Sequence, residues 1–199
     1  DPDEFDALPP PETFRARWGI PVRAPLVLFL GRLHERKGVQ HLLAALPLLP
    51  GAWLAVAGPD EGQGAALRAQ AGRLGVEDRV VFTGLLTGAD RLAAFSGADA
   101  LALPAVGEGL PVVALEAMAA GLPVALSDGC HLPEVIEAGA GVRLEPLTGE
   151  GIAAALGPVL ADSARRGVMA ARGRALVAER FTWAAVADRM LEVYAGIGP

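Results

Sequence analysis

The sequence predicts a three-layer α/β domain: a doubly wound parallel sheet of about six strands, helices on both faces, and extra helices at the C-terminal end. Three observations predict it. From Leu26 onward, short apolar runs alternate with segments of helical periodicity. None of those runs alternates apolar with polar residues, so the strands have no wet face and are parallel and covered on both sides. The chain has 199 residues, 52% hydrophobic and 20% charged, enough to bury one full core.

Taken in order, Asp1 to Pro11 is acidic and rich in proline, which marks a linker rather than the start of a core, and residues 1–20 form a lead-in. The core domain is expected over residues 21–180. Strands are placed at Leu26 to Leu30, Trp53 to Ala57, Val80 to Thr83, Ala100 to Leu103, Pro123 to Leu126 and Gly141 to Leu144, each followed by a helix. The first helix carries Val39, Leu42, Leu43 and Leu46 on one face, a stripe that packs on the sheet. The run Leu110 to Leu126 is interrupted by Glu116, Gly121 and Pro123 and falls short of the roughly 20 residues of a membrane span; it reads as buried helix, then strand. From Thr148 no strand signal appears. Three helices follow, the last capped by Thr182 and running Trp183 to Tyr194 within a closing segment 181–199.

Charge narrows the partners. A net charge of -6 offers no broad basic face for a polyphosphate backbone, so nucleic acid is not expected and any anion must be met locally. The one cysteine, Cys130, has no internal disulfide partner, and no N-terminal targeting run is present, which fits a reducing, cytoplasmic setting.

After the first strand the chain reads Gly31-Arg32-Leu33-His34-Glu35-Arg36-Lys37-Gly38 and enters a helix. Three cations, among them the only lysine of the chain, thus crowd a helix N-terminus at the carboxyl end of a strand, where free N–H groups and the helix dipole favour a phosphate. This is neither the glycine turn of dinucleotide-binding domains nor a Walker loop. The plainer reading is a solvated loop of surface charges.

The second feature is the stretch from Glu108 to Gly121, in which Pro111 suits the first turn of a helix and every residue from Leu110 to Ala120 except Glu116 is apolar. A helix apolar all round is buried, and a buried carboxylate needs a partner, so Glu116 faces either a structural arginine or a polar cleft. Both glutamates belong to a loop and helix that follow the strand Ala100 to Leu103, on the sheet that also carries the cationic loop.

These residues carry a family resemblance over nearly the whole chain. Phe29-Leu30-Gly31-Arg32 with Lys37-Gly38, Ala57-Gly58-Pro59-Asp60-Glu61-Gly62, Val81-Phe82-Thr83-Gly84, Glu108-Gly109-Leu110-Pro111 through Gly121-Leu122-Pro123-Val124, and Glu179-Arg180-Phe181-Thr182-Trp183 occur in this order. Together they resemble the C-terminal, donor-binding domain of retaining GT-B glycosyltransferases of family four, also called group one, a Rossmann-like fold.

The resemblance implies a nucleoside diphosphate sugar (UDP, GDP or ADP sugar) as donor substrate, with no other cofactor. It gives Arg32 and Lys37, beside Gly31, to the diphosphate, Glu116 to the ribose hydroxyls, and Glu108 to the hydroxyls of the transferred, hexosyl-type sugar. The N–H groups of Gly109 and Leu110 would cap a phosphate, and Thr83 to Leu86, with Gly84, would line the base pocket. It implies that residues 1–20 are an interdomain linker, that the last helix braces against a preceding acceptor-binding domain, and that this half alone does not transfer sugar; it leaves room for peripheral membrane association of the full-length protein. Metal-independent transfer is expected, since no Asp-x-Asp pair follows any strand and cations with helix N-termini can stabilise the leaving diphosphate. The chain departs from the family at Cys130-His131, where a Gly-Gly pair usually precedes Leu-Pro-Glu, here Leu132-Pro133-Glu134. Two side chains then stand where bare backbone approaches the site, and the reach of Glu134 is open. His131 could touch donor or acceptor, or simply be solvated. Cys130 reads as an inert small residue. Two alternatives keep the fold: a non-catalytic nucleotide-binding domain and a sugar-nucleotide epimerase. A nicotinamide-binding domain would need the glycine fingerprint after Leu30.

Overall fold

The computed structural model describes residues 2–196; Asp1 and residues 197–199, the two ends of the expected lead-in and closing helix, lie outside the described residues. A six-stranded parallel sheet runs through the molecule in the order β3-β2-β1-β4-β5-β6. Its strands are β1 Leu26–Leu30, β2 Trp53–Ala57, β3 Val80–Gly84, β4 Ala100–Leu103, β5 Val124–Leu126 and β6 Gly141–Arg143. They fall where the apolar runs place them, with ends moved by a residue at β3, β5 and β6. The central strands β1, β2 and β4 are buried almost throughout, which is why their sequences read as unbroken apolar runs.

Nine α-helices accompany the sheet among the described residues: α1 Pro11–Arg17, α2 Val39–Ala45, α3 Gly64–Arg73, α4 Gly88–Gly97, α5 Val112–Ala119, α6 Pro133–Glu137, α7 Gly149–Ala161, α8 Ser163–Arg180 and α9 Trp183–Gly196. Because strand order runs outward from β1 in one direction and then reverses at β4, right-handed crossovers put helices on both faces. α2 packs with α3 and α7, while α4 packs with α1 and α5 with α8. The reversal leaves a crevice between β1 and β4 at their carboxyl ends, the place where open α/β sheets receive ligands. No helix among the described residues is long and apolar enough to cross a membrane.

The lead-in packs more closely than its composition predicts. Phe5 and Phe14 are buried, and Phe5 meets Phe95 edge-on with ring centroids 6.1 Å apart. Arg15, itself buried, donates to the Gly97 carbonyl at 2.8 Å and pairs with Asp99 at 2.9 Å, pinning α1 beneath the sheet. Proline-rich flanks hide these few core residues from a reading by composition.

The first turn of α5 also differs from expectation. Pro111 precedes the helix rather than opening it, and Leu110 and Val112 are 52% and 57% exposed, so the segment is not buried all round. Its deeper residues Ala114, Ala117 and Met118 do enter the core. The exposed end lies at the crevice.

Candidate functional site

The crevice is built from two loops that could not approach each other with side chains at the crossing points. Gly38, left-handed at φ 76°, lies so close to the loop after β4 that a Cβ would stand 2.1 Å from the Pro104 carbonyl oxygen. Gly58, at φ 143°, lets the turn after β2 press on the turn after β1, where a Cβ would stand 1.8 Å from the Gly31 oxygen. Only glycine meets both demands. The loops are then stitched together, the Val106 N–H donating to the Arg36 carbonyl at 2.9 Å. His34 caps the intervening 3-10 turn Glu35–Lys37 by accepting the Arg36 N–H on Nδ1.

A cavity of about 260 Å³ opens here, walled by Phe29, Leu30, Gly31 and Arg32 on one side and Leu110 to Val113 on the other, with Lys37 and Glu108 between them. Each cation holds a carboxylate. The Lys37 ammonium donates to Glu108 Oε1, both side chains about four-fifths buried, and Arg32 donates from Nη1 to both oxygens of Glu61 at 2.8 and 3.2 Å. Arg36, the third cation of the loop, lies instead over Gly107, where its guanidinium fills the space a side chain would take.

Glu61 is held in place by its neighbour. Asp60 Oδ1 accepts the N–H groups of Gly62, Gln63 and Gly64, each at 2.9 Å, at the start of α3. The Gly64 N–H has the largest effect and lowers the Asp60 pKa; burial, next in size, opposes it, but with the N–H groups of Gly62 and Gln63 and the charge of Arg68 added, the carboxyl is held below its ordinary pKa.

The structure thus brings Gly31, Arg32, Lys37, Glu108 and Leu110 to one cavity. Gly109 is exposed on the rim. Thr83 and Gly84 end the edge strand β3, where the Thr83 hydroxyl donates to the Gly84 carbonyl, two strands from β1. Glu116 lies deeper along α5, beside a separate cavity of about 80 Å³ that it shares with Phe5, Thr182 and Trp183. Its partner is Arg91 of α4, whose Nη1 donates to Glu116 Oε1 and whose Nη2 donates to Glu4 at 2.6 Å. Burial works against the Arg91 charge, but the bonds and charge of Glu116, followed by those of Glu4, outweigh it and raise its pKa.

The departure at Cys130-His131 resolves into two roles. Cys130 is fully buried with Sγ 3.4 Å from the Leu103 carbonyl, and burial pushes its thiol pKa up. Both features favour the inert reading of this thiol. His131 adopts a left-handed backbone at φ 52° and is not simply solvated: its Nδ1 lies 2.9 Å from the Glu108 carbonyl oxygen, an N–H donor to it, while the Glu108 N–H donates to Gly129 at 2.8 Å. Glu134 lies in the first turn of α6, outside the cavity wall, with Oε2 buried and unbonded among the described residues. Glu61 and Arg91 were given no role by the sequence. Their partners stand 29 and 25 positions away, and nothing in a single sequence announces such pairs.

The model of the family described as glycosyl transferases group 1 matches residues 11–176. The chain is 36% identical over 196 residues to a D-inositol 3-phosphate glycosyltransferase of Xylanimonas cellulosilytica, covering 91% of this chain and 44% of that protein. It is 37% identical over 191 residues to a glycogen synthase of Mycobacterium tuberculosis, covering 90% and 45%. Among solved structures, WaaG, a glycosyltransferase involved in lipopolysaccharide biosynthesis, superposes with a TM-score of 0.80 at 30% identity, covering 91% of this chain and 50% of that one. The sucrose-phosphate synthase of Thermosynechococcus elongatus gives 0.82 at 30% identity, covering 99% and 50%. The chain spans a little under half the length of these curated relatives.

Proposed function

This chain belongs to the group 1 glycosyl transferases, and from that premise we propose that it is the half of such an enzyme that grips a nucleoside diphosphate sugar. The single observation that carries the reading is the meeting of Lys37 with Glu108 at the β1–β4 crevice, beside a cavity into which Arg32 also opens. The cavity of about 260 Å³ is smaller than the roughly 300–1,000 Å³ of a site enclosing a whole small molecule. It suits the diphosphate and sugar, leaving the nucleoside along the open edge toward β3.

In this reading Arg32 and Lys37 exchange their carboxylate partners for phosphate oxygens, and the exposed N–H groups of Gly109 and Leu110 add donors. As the glycosidic bond breaks, charge gathers on the departing diphosphate, and fixed cations in a partly dry crevice stabilise it without a metal. Glu108, held by His131 and Gly129 through its backbone, presents its side chain to the sugar hydroxyls. Glu116 takes the ribose and the Thr83 to Leu86 segment the base. Transfer of a hexosyl-type group with retention needs an acceptor within about 3 to 3.5 Å of the anomeric carbon. A preceding domain joined through residues 1–20, against which α9 braces, would supply it, so this half alone binds without transferring. A cytoplasmic setting, with the whole enzyme peripheral to a membrane, is part of the same reading.

The test is a thermal-shift screen against UDP, GDP, ADP and their sugars, since selective binding stabilises the fold by mass action. One nucleotide series should raise melting, its sugar conjugate more than its monophosphate. No shift with any of them, confirmed by calorimetry, would overturn the assignment.

A further inference from the structure

We propose that Arg91 is a positioning residue for Glu116, and that through Glu4 it ties the nucleoside end of the site to the lead-in segment. The inference rests on the donor-binding reading, in which Glu116 meets the ribose.

Two carboxylates 112 positions apart, Glu4 and Glu116, converge on one guanidinium. Arg91 and Glu116 are each about four-fifths buried, whereas Glu4 is 44% exposed at its outer edge. A guanidinium is a rigid planar fork, so when its two ends are fixed by different carboxylates its plane is fixed as well. The bond to Glu116 is made at Oε1, which sets the rotamer of the glutamate and leaves Oε2 to accept from a ligand hydroxyl. Without Arg91 this carboxylate would keep its partial burial and lose its only charged partner among the described residues. It would turn toward water rather than toward the site.

The second arm reaches the chain before the core. Glu4 belongs to the 3-10 turn Pro2–Phe5, and Phe5, the next residue, walls the small cavity beside Glu116. A displacement of the lead-in therefore pulls on Arg91, and Arg91 in turn on the carboxylate that reads the ribose. Motion of the linker and recognition of the nucleoside share one side chain.

The experiment is calorimetric titration of the 199-residue chain with whichever of UDP, GDP and ADP binds tightest, and with its 2′,3′-dideoxy counterpart. The wild-type chain should prefer the ribonucleotide. Arg91→Ala should weaken the ribonucleotide about tenfold, one charge-assisted contact's worth, and leave the dideoxy nucleotide within about twofold. Arg91→Lys should recover only part of the preference, because a point charge does not hold the plane. Glu4→Gln should cost about two- to threefold on the ribonucleotide alone, and nothing further when added to Arg91→Ala, the mark of a shared path. Circular dichroism and melting establish that each variant is folded; if Arg91→Ala is not, Arg91→Lys and Glu4→Gln carry the test. A folded variant with unchanged preference, or one that binds the ribonucleotide more tightly, overturns the positioning role. A wild-type chain that binds the nucleotide without preferring the ribose removes Glu116 from the ribose and the proposal with it. One that binds neither nucleotide is a failure of the donor-binding reading itself.

Discussion

Lys37→Ala probes the crevice most directly. In the free protein the Lys37 side chain is 20% exposed and its ammonium is bonded to Glu108, whose side chain is 18% exposed. On the proposed donor-binding reading, the substitution removes a charge-assisted contact with the incoming diphosphate worth about 1.5 to 3 kcal/mol. It also leaves Glu108 facing the phosphates without its cation, a screened repulsion of about 1 kcal/mol. Against these stands the wild-type's need to share Lys37 between Glu108 and phosphate, which offsets a similar amount. The net expectation is a loss of roughly ten- to a hundredfold in affinity for the nucleoside diphosphate. The free nucleoside, which has no phosphate to feel the change, should bind within about twofold of the wild-type. Adding Glu108→Gln to Lys37→Ala should return part of the loss, since the stranded charge is then gone. Calorimetry on the three proteins with both ligands decides it. Equal losses for nucleoside and nucleoside diphosphate would refute a phosphate role for Lys37.

Four further outcomes are expected. Glu108→Gln alone should leave the nucleoside diphosphate at equal or higher affinity, because Lys37 is released, while shrinking the extra affinity of the nucleotide sugar over the diphosphate; titrations with the two ligands compare them. Gly38→Ala, whose Cβ would stand 2.1 Å from the Pro104 oxygen, should cost more than about 1 kcal/mol of stability through strain at a left-handed position and should weaken diphosphate binding, read by chemical denaturation and calorimetry. Asp60→Ala should lower the melting temperature near neutral pH. The folded carboxyl is held below the ordinary aspartate value, so its contribution is present above the unfolded pKa and fades as acid carries the pH down through the folded pKa; the melting difference between the two proteins should close at the acid end and stay open above. Cys130, buried and with its thiol pKa raised, should resist alkylation in the native chain near neutral pH and react fully only once denaturant unfolds it.

The sheet was legible because its strands are covered on both faces. Runs such as Leu26 to Leu30 and Ala100 to Leu103 carry no competing periodicity, and Gly or Pro residues punctuate the chain between them. The lead-in was legible as punctuation but not as packing, since Phe5 and Phe14 earn their burial from Phe95 and the end of α4, residues distant in the chain. At the site, the residues themselves were visible as a cationic loop and a glutamate pair, but their pairings were not. Glu116 shows why. Burial in an apolar helix required a partner for it, and Arg91 satisfies that requirement in the free protein, so a structural tie and a ligand contact are not exclusive for this carboxylate. His131 stands where the family resemblance has a glycine, a hint of its left-handed backbone, but its reach to the Glu108 carbonyl depends on a partner 23 positions away that a single sequence does not announce.

The reversal of strand order between β1 and β4 carries a consequence for how the crevice comes to form. Lys37 follows the first strand and Glu108 the fourth, 71 positions later. Between them lie two other strands, β2 and β3, which pair on the opposite side of β1 from β4. Closing so long a loop costs entropy that is recovered only when the central strands have docked, so the crevice forms late on the folding pathway. A nucleotide can bind only what has formed. Its stabilisation should therefore appear almost wholly as slower unfolding, with refolding from denaturant proceeding at the same rate whether or not the nucleotide is in the buffer.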